Sequence, residues 1–218
     1  VFPMSETRLH LYAAVPAEEA FTLDVCARGF PILSCGPLAA VFGHPLTCDD
    51  EVHAAVWHDH IVGLIFETCS SIVPFRMGIT LASETELRAT LSLNVKELSQ
   101  QLARFQGRVE MGLRVRLAAA AADEPLRLPF GLDRVRALAP EQEDRVERLA
   151  RSSHGRIFEG CYLISRQSVA DFWRALDGIR RLAPELPLLG SGPWAAYSFC
   201  DVPLRCSVGP QRAVMQSR

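Results

Sequence analysis

The chain has 218 residues, 49% of them hydrophobic and 22% charged, a globular composition long enough to bury a core without staples. That excludes a small disulfide scaffold and a disordered chain, and no apolar run reaches the length of a membrane span. The 23 Lys+Arg against 25 Asp+Glu leave a net charge of -2, so the sequence carries no basic field for nucleic acid.

In chain order, Met4-Ser5-Glu6-Thr7 reads as a natural start, so Val1-Phe2-Pro3 is set aside from the fold reasoning. No basic segment with an apolar run and a small-residue cleavage site follows, and nothing points to export. Leu9, Leu11 and Ala13 alternate with Arg8, His10 and Tyr12, predicting a strand that Pro16 stops. A second extended stretch runs from about Ile32 to Phe42, interrupted at Gly36-Pro37. Asp49 or Asp50 caps a helix carrying Val52, Val56, Leu64 and Ile65, expected to reach Thr68. Ile72-Val73 before Pro74 reads as a short buried strand. Ser83 and Glu86 then form an S-x-x-E capping box ahead of Leu87, Leu91, Val95, Leu98, Leu102 and Phe105, one amphipathic helix closed by Gly107.

Val109, Met111, Leu113, Val115 and Leu117 alternate with polar residues as in a half-buried strand. Five alanines, Pro125 and Pro129 follow, a stretch that is either a helical continuation or a connector. Pro140 opens a predicted charged helix in which Glu141 to Arg145, Asp144 to Arg148 and Glu147 to Arg151 are i,i+4 pairs. Phe158 to Ser165 reads as a strand, Ser168 opens a helix with Val169, Phe172, Trp173, Leu176 and Ile179 inward, and Trp194 to Cys200 reads as a last strand. This order places a domain boundary near Gln106, giving an N-terminal domain over 1–105 and a C-terminal one over 106–218. Charge divides there too: the first half holds 6 basic and 12 acidic residues, the second 17 and 13.

Few residues form a reactive constellation. The seven cysteines, at 26, 35, 48, 69, 161, 200 and 206, are an odd set with no C-x-x-C pair, which argues for reduced thiols in a cytoplasm. His53, His58, Asp59 and His60 are the one dense ligand-capable cluster, yet no H-x-x-x-H pair shares a helix face as zinc requires. There is no G-x-S-x-G elbow and no phosphate-cradling glycine loop. Two segments stand out: Ile72 to Gly78, with an arginine and a glycine after a buried strand, and Gly190 to Phe199, with three aromatics at a strand entry.

Those segments carry a resemblance. Val-Pro-Phe-Arg-Met-Gly at 73–78, Gly-Arg-Val-Glu-Met-Gly-Leu-Arg-Val at 107–115 and Gly-Pro-Trp-Ala-Ala-Tyr-Ser-Phe at 192–199 resemble, in order and spacing, the signature segments of the gas vesicle GvpL/GvpF family. Leu-Tyr-Ala-Ala-Val-Pro at 11–16 is similar to the family's first strand, and His58 or His60 falls where its helix usually carries a histidine. The chain departs from the pattern at Ala195 and Ala196, where prolines are usual, and in its alanine run and shortened stretch from Asp123 to Ser153.

The resemblance implies an α+β protein of two small α+β domains, the C-terminal one a modified ferredoxin-like fold. It implies no enzyme and no cofactor, but an accessory protein of gas vesicle assembly, cytoplasmic and at the gas vesicle. Its implied partners are the small, very hydrophobic shell protein GvpA and other accessory proteins, with neither nucleic acid nor membrane. The residues expected to matter for interaction or folding are Pro74, Arg76, Gly78, Glu110, Gly192, Pro193, Trp194, Tyr197 and Phe199, around an expected Arg76–Glu110 pair in the interdomain region. The alternative is a metal- or small-ligand-binding enzyme or sensor on ferredoxin-like domains, with His53, His58 or His60 and a cysteine as ligands.

Overall fold

The computed structural model describes residues 8–20, 22, 29–44, 50–117, 131–152, 155–200 and 203–205. The alanine run, Pro125 and Pro129 lie outside them. Chain contacts divide the protein into two units, one made by the chain up to Gln106 together with the segment from Ala195 on, the other by Gly107–Trp194. The sequence had suggested a single boundary near Gln106; residues 195–200 and 203–205 instead pack with the first unit.

The first unit is built on β1, Leu9–Pro16. Leu11, Tyr12, Ala13, Ala14 and Val15 are all buried, so this strand is covered on both faces rather than on one as its alternation suggested. Strands β2 (Ile32–Cys35), β3 (Leu38–Gly43), β4 (Val73–Pro74) and β5 (Thr80–Leu81) complete an antiparallel sheet ordered β2-β3-β1-β4, with β5 pairing another stretch of β1. Helix α1, Glu51–Thr68, starts at Asp50, whose carboxylate accepts from the Val52 amide at 2.8 Å. Its buried stripe is His58, Ile61, Val62 and Ile65. Of the four apolar residues that marked this helix in the sequence only Ile65 is buried: Val52, Val56 and Leu64 project outward, away from that stripe.

The capping box forms, with Ser83 accepting from the Glu86 amide, while the Glu86 carboxylate reaches back to the Ala82 amide at 2.6 Å. The helix it opens is two helices, α2 (Glu84–Leu93) and α3 (Val95–Phe105), parted at Asn94. The break follows from that side chain, which is buried and behaves like a peptide group. Its amide donates to the carbonyls of Thr90 (2.7 Å) and Arg205 (3.0 Å), and its carbonyl accepts from the Arg205 amide (3.0 Å). Asn94 thereby fastens the chain at 203–205 to the helical layer.

The second unit contains β6 (Arg108–Leu117), a short α4 (Leu132–Arg136), β7 (Arg145–Ser152), β8 (Gly155–Ser165), α5 (Val169–Leu182) and β9 (Leu188–Trp194). The sheet is antiparallel throughout and ordered β7-β8-β6-β9, so this β-α-β-β-α-β chain has the ferredoxin-like strand arrangement. Two expectations are corrected here. Residues 145–152, read as part of a charged helix, are a strand, and the charges pair across strands instead of along a helix. Glu147 accepts from Arg136 at 2.9 and 2.6 Å and from the Tyr162 hydroxyl at 2.9 Å; Arg148 meets Glu159 at 2.5 Å; Asp144 accepts from Arg108. The last strand lies at 188–194, not 194–200, because its glycines admit close neighbours. A Cβ on Gly190 would fall 2.4 Å from a Leu176 methyl and 2.7 Å from the Trp173 ring, so only glycine lets β9 lie against α5. Residues 197–199 form a 3-10 turn.

Replacing Asn94 by alanine strands the Arg205 amide and carbonyl and empties a buried site. The Asn94→Ala protein is expected to lose ~2–4 kcal/mol of stability by chemical denaturation, while Lys96→Ala, two residues on, exposed and outside this network, changes it little.

Candidate functional site

The signature segment after β4 owes its position to a chain of hydrogen bonds rooted in the core. Phe75 donates its amide to the Tyr12 carbonyl at 2.9 Å and offers its own carbonyl to His58 Nε2 at 2.9 Å. A carbonyl only accepts, so His58 carries its proton on Nε2 and presents a bare Nδ1. That nitrogen lies 2.8 Å from His10 Nε2, which therefore donates. Strand β1, helix α1 and the segment leading to Arg76 are thus joined through two imidazoles, of which His58 must be neutral to accept from His10.

Their surroundings favour that state. Burial, together with the neighbouring His58, lowers the pKa of His10 from 6.5 to about 4. Burial also lowers His58, against the opposing pull of the Phe75 carbonyl and the Asp59 carboxylate. The ring of Tyr12 meets His10 edge-on at 5.0 Å and lies against His58 at 5.4 Å. Its hydroxyl accepts from Trp57, and burial raises its pKa. His58 is therefore the histidine of this helix that serves the signature segment. His60 lies on the surface against Trp57, and His53 pairs with Asp50 at 2.6 Å. Among the described residues no three His, Cys, Asp or Glu side chains are grouped as metal ligands.

Beside the histidine pair, α1, the 75–78 turn and the 3-10 turn at 197–199 enclose an open cleft of about 520 Å³. Ala55, Val56, His58, Asp59, Arg76, Met77, Tyr197 and Ser198 line it. Gly78 has φ +93°, a conformation closed to most side chains, and turns the chain back toward β5 directly after Met77. Pro74 pairs with Ala13 inside the sheet. Val56 is 64% and Met77 44% exposed, so the rim carries accessible apolar side chains beside the exposed Asp59, whereas Arg76 is half-buried. Tyr197 packs against the core of this unit, and Phe199, fully covered, lies 5.9 Å from the Arg104 guanidinium.

The sequence-derived residues therefore gather in two places. Arg76 and Tyr197 meet in the cleft, with Pro74, Gly78 and Phe199 shaping the same unit. Glu110, Gly192, Pro193 and Trp194 meet at one end of the second sheet, where Glu110 pairs with Trp194. Gly192 has φ +112°, and a Cβ there would fall 2.8 Å from the Glu110 carbonyl; the peptide from Gly192 to Pro193 is cis. Trp194 is 52% exposed rather than packed in a core. The sequence did not reveal His10, whose partner is 48 residues away, nor the cleft residues Val56, Met77 and Ser198. The one usable signal was that Val52 and Val56 share a face that continues, three and four residues after Val56, only with Asp59 and His60.

The family model described as gas vesicle synthesis protein GvpL/GvpF matches residues 9–128 and 130–201. The chain belongs to the GvpL/GvpF family. It is similar to gas vesicle protein F2 of Halobacterium salinarum, 26% identical over 91% of this chain and 94% of that one. Gas vesicle protein F of Haloferax mediterranei is 25% identical, over 93% and 91% of the two chains. The fold is that of the gas vesicle protein GvpF from Anabaena, with a TM-score of 0.72 at 15% identity over 89% of this chain and 96% of that one. GvpF from Microcystis aeruginosa gives 0.69 at 13% identity over 90% and 100%. Membership in GvpL/GvpF ties the protein to gas vesicles, and nothing in this kinship points to catalysis. Among the described residues no helix is long and apolar enough to cross a membrane.

The neutral histidine pair sets a pH dependence. Both folded pKa values lie below the ordinary 6.5, so the unfolded chain takes up protons first as pH falls. Their stabilisation is fully present above about pH 6.5 and is lost as pH drops toward 4. Thermal melts are expected to fall from pH 7 to pH 5, and the fall is expected to shrink in His10→Gln, which keeps a donor but cannot titrate.

Proposed function

We propose that the protein is an accessory factor of gas vesicle assembly that binds the shell protein GvpA, either assisting nucleation and assembly or remaining as a minor component of the shell. The observation that carries this reading is the cleft's composition: an accessible apolar rim, Val56 and Met77, around a half-buried arginine held on a rigid turn. A very hydrophobic shell subunit exposes apolar faces before it assembles, and such faces aggregate unless covered. The cleft offers matching surface, each rim side chain contributing ~1 kcal/mol when the contact excludes water. Arg76 adds a fixed polar anchor that orients the guest. Other accessory proteins are further partners of such a factor, which acts in the cytoplasm where shells grow.

The reading is tested by co-expression with GvpA, followed by pull-down and size exclusion. A soluble complex is expected with the native protein. Met77→Glu, on an exposed side chain, is expected to weaken the complex about tenfold or more with an unchanged melt; Arg76→Ala tests the anchor, its melt separating lost binding from lost folding. Absence of any complex with the native protein overturns the reading, and metal analysis of untagged protein then becomes the decisive experiment for the sensor alternative.

A further inference from the structure

Two exposed faces remain, one in each unit, and they complement each other. The first is the outer stripe of α1. Val52, Val56, His60, Gly63 and Glu67 follow one another at spacings of four, four, three and four and so share one side of the helix. Val52 is 69% and Val56 64% exposed. The helix contains Glu51, Asp59 and Glu67, all exposed, and neither lysine nor arginine. It is an apolar stripe with acidic flanks.

The second is the sheet face of the other unit opposite its helices. Gly190 and Tyr162 mark the helix side, so the residues alternating with them define the open side. One row across the four strands reads Arg148, Glu159, Arg114 and Leu189; the next reads Val146, Cys161, Gly112 and Ser191. Glu159 is shared by Arg148 at 2.5 Å and Arg114 at 2.7 Å, which leaves the row net positive, and Arg116 on the same face adds to it. The neighbouring row has small side chains in its middle, with Val146, 41% exposed, at one end, and Leu189, 62% exposed, closes the first row at the opposite edge. The result is a basic sheet face with a shallow trough and apolar shoulders. The outer two of the four strands lie about 14 Å apart, wide enough for a helix about 10 Å across.

We propose that this protein self-associates head to tail, the outer stripe of α1 of one copy seating on the open sheet face of the next. The occupant is a second copy because the chain itself supplies an arginine-free acidic helix face and an arginine-rich sheet face of comparable extent. Placing Asp59 and Glu67 opposite Arg114, Arg116 and Arg148 steers and registers the contact, and Val52 and Val56 cover the trough. Such a contact is heterologous, so each copy leaves one face of each kind free and the assembly grows into a filament or closes into a ring. Val56 and Asp59 also border the cleft, so a seated copy and a guest in the cleft exclude each other there.

The test uses the full chain alone, by sedimentation velocity over a range of concentrations and salt. The native protein is expected to show concentration-dependent oligomers that dissociate in high salt. Glu67→Arg reverses charge on the helix face and Leu189→Glu puts a negative charge in place of an apolar shoulder on the sheet face; both sites are exposed, and far-UV circular dichroism checks that each variant is folded. Each is expected to weaken association about tenfold or more, and an equimolar mixture of the two is expected to associate again, because each retains the face the other has lost. A native protein that stays monomeric, or a dimer that tolerates one of the two substitutions, overturns the proposal. Leu189 lies outside the cleft, so a Leu189→Glu protein that no longer self-associates but still captures GvpA separates this inference from the shell-binding reading.

Discussion

The first unit depends on the hydrogen-bonded run from His10 through His58 to the Phe75 carbonyl. It joins the central strand, the long helix and the signature turn with two donors and two acceptors, each used once. Because a carbonyl stands at its end, every proton position in it is determined. The gain from so polar a link in a core is geometric: a buried unpaired imidazole or carbonyl costs about 1–3 kcal/mol, so the segment after β4 cannot shift without exposing or orphaning one of them. Arg76 and Met77 are presented to the cleft from a fixed base for this reason.

The second unit fixes its geometry by a different device. Tyr162, wholly buried, sends its hydroxyl to Glu147, which also accepts two bonds from Arg136. Helix α4 is thereby tied to β7 and β8 across the sheet. Glycines at 160 and 190 leave room for Tyr162, Trp173 and Leu176 to close over the strands, so small residues in mid-strand are packing features here. Sheet and helices so fixed present an open face of alternating arginines and small residues.

What could be read from the sequence follows from how local each determinant is. Asp50 as a cap, the Ser83 box, the period-two run at 109–117 and the amphipathic α5 all rest on neighbours within a few residues, and all are present. The misreadings have non-local causes. Residues 145–152 satisfy the i,i+4 charge pattern of a helix, yet Arg148 and Glu147 find better partners 11 residues away across the sheet and on α4. Asn94 resembles any helix-surface asparagine until Arg205 arrives to use its amide. The Gly190-Ser191-Gly192 run reads as a loop unless the side chains of α5 that need the space are known. Family resemblance singled out Arg76 and Tyr197, whereas the cleft that both line required the fold.

The central claim is that the cleft beside the histidine pair receives the shell subunit. The most direct measurement is a photo-reactive amino acid placed at Met77, on the rim, and in a parallel protein at Leu182, which is also exposed and belongs to the other unit. Each would be irradiated in cells making GvpA, and the crosslinked partner identified by mass spectrometry. A GvpA adduct from position 77 and none from 182 is the predicted result. Adducts from 182 alone, or equally from both, would contradict it.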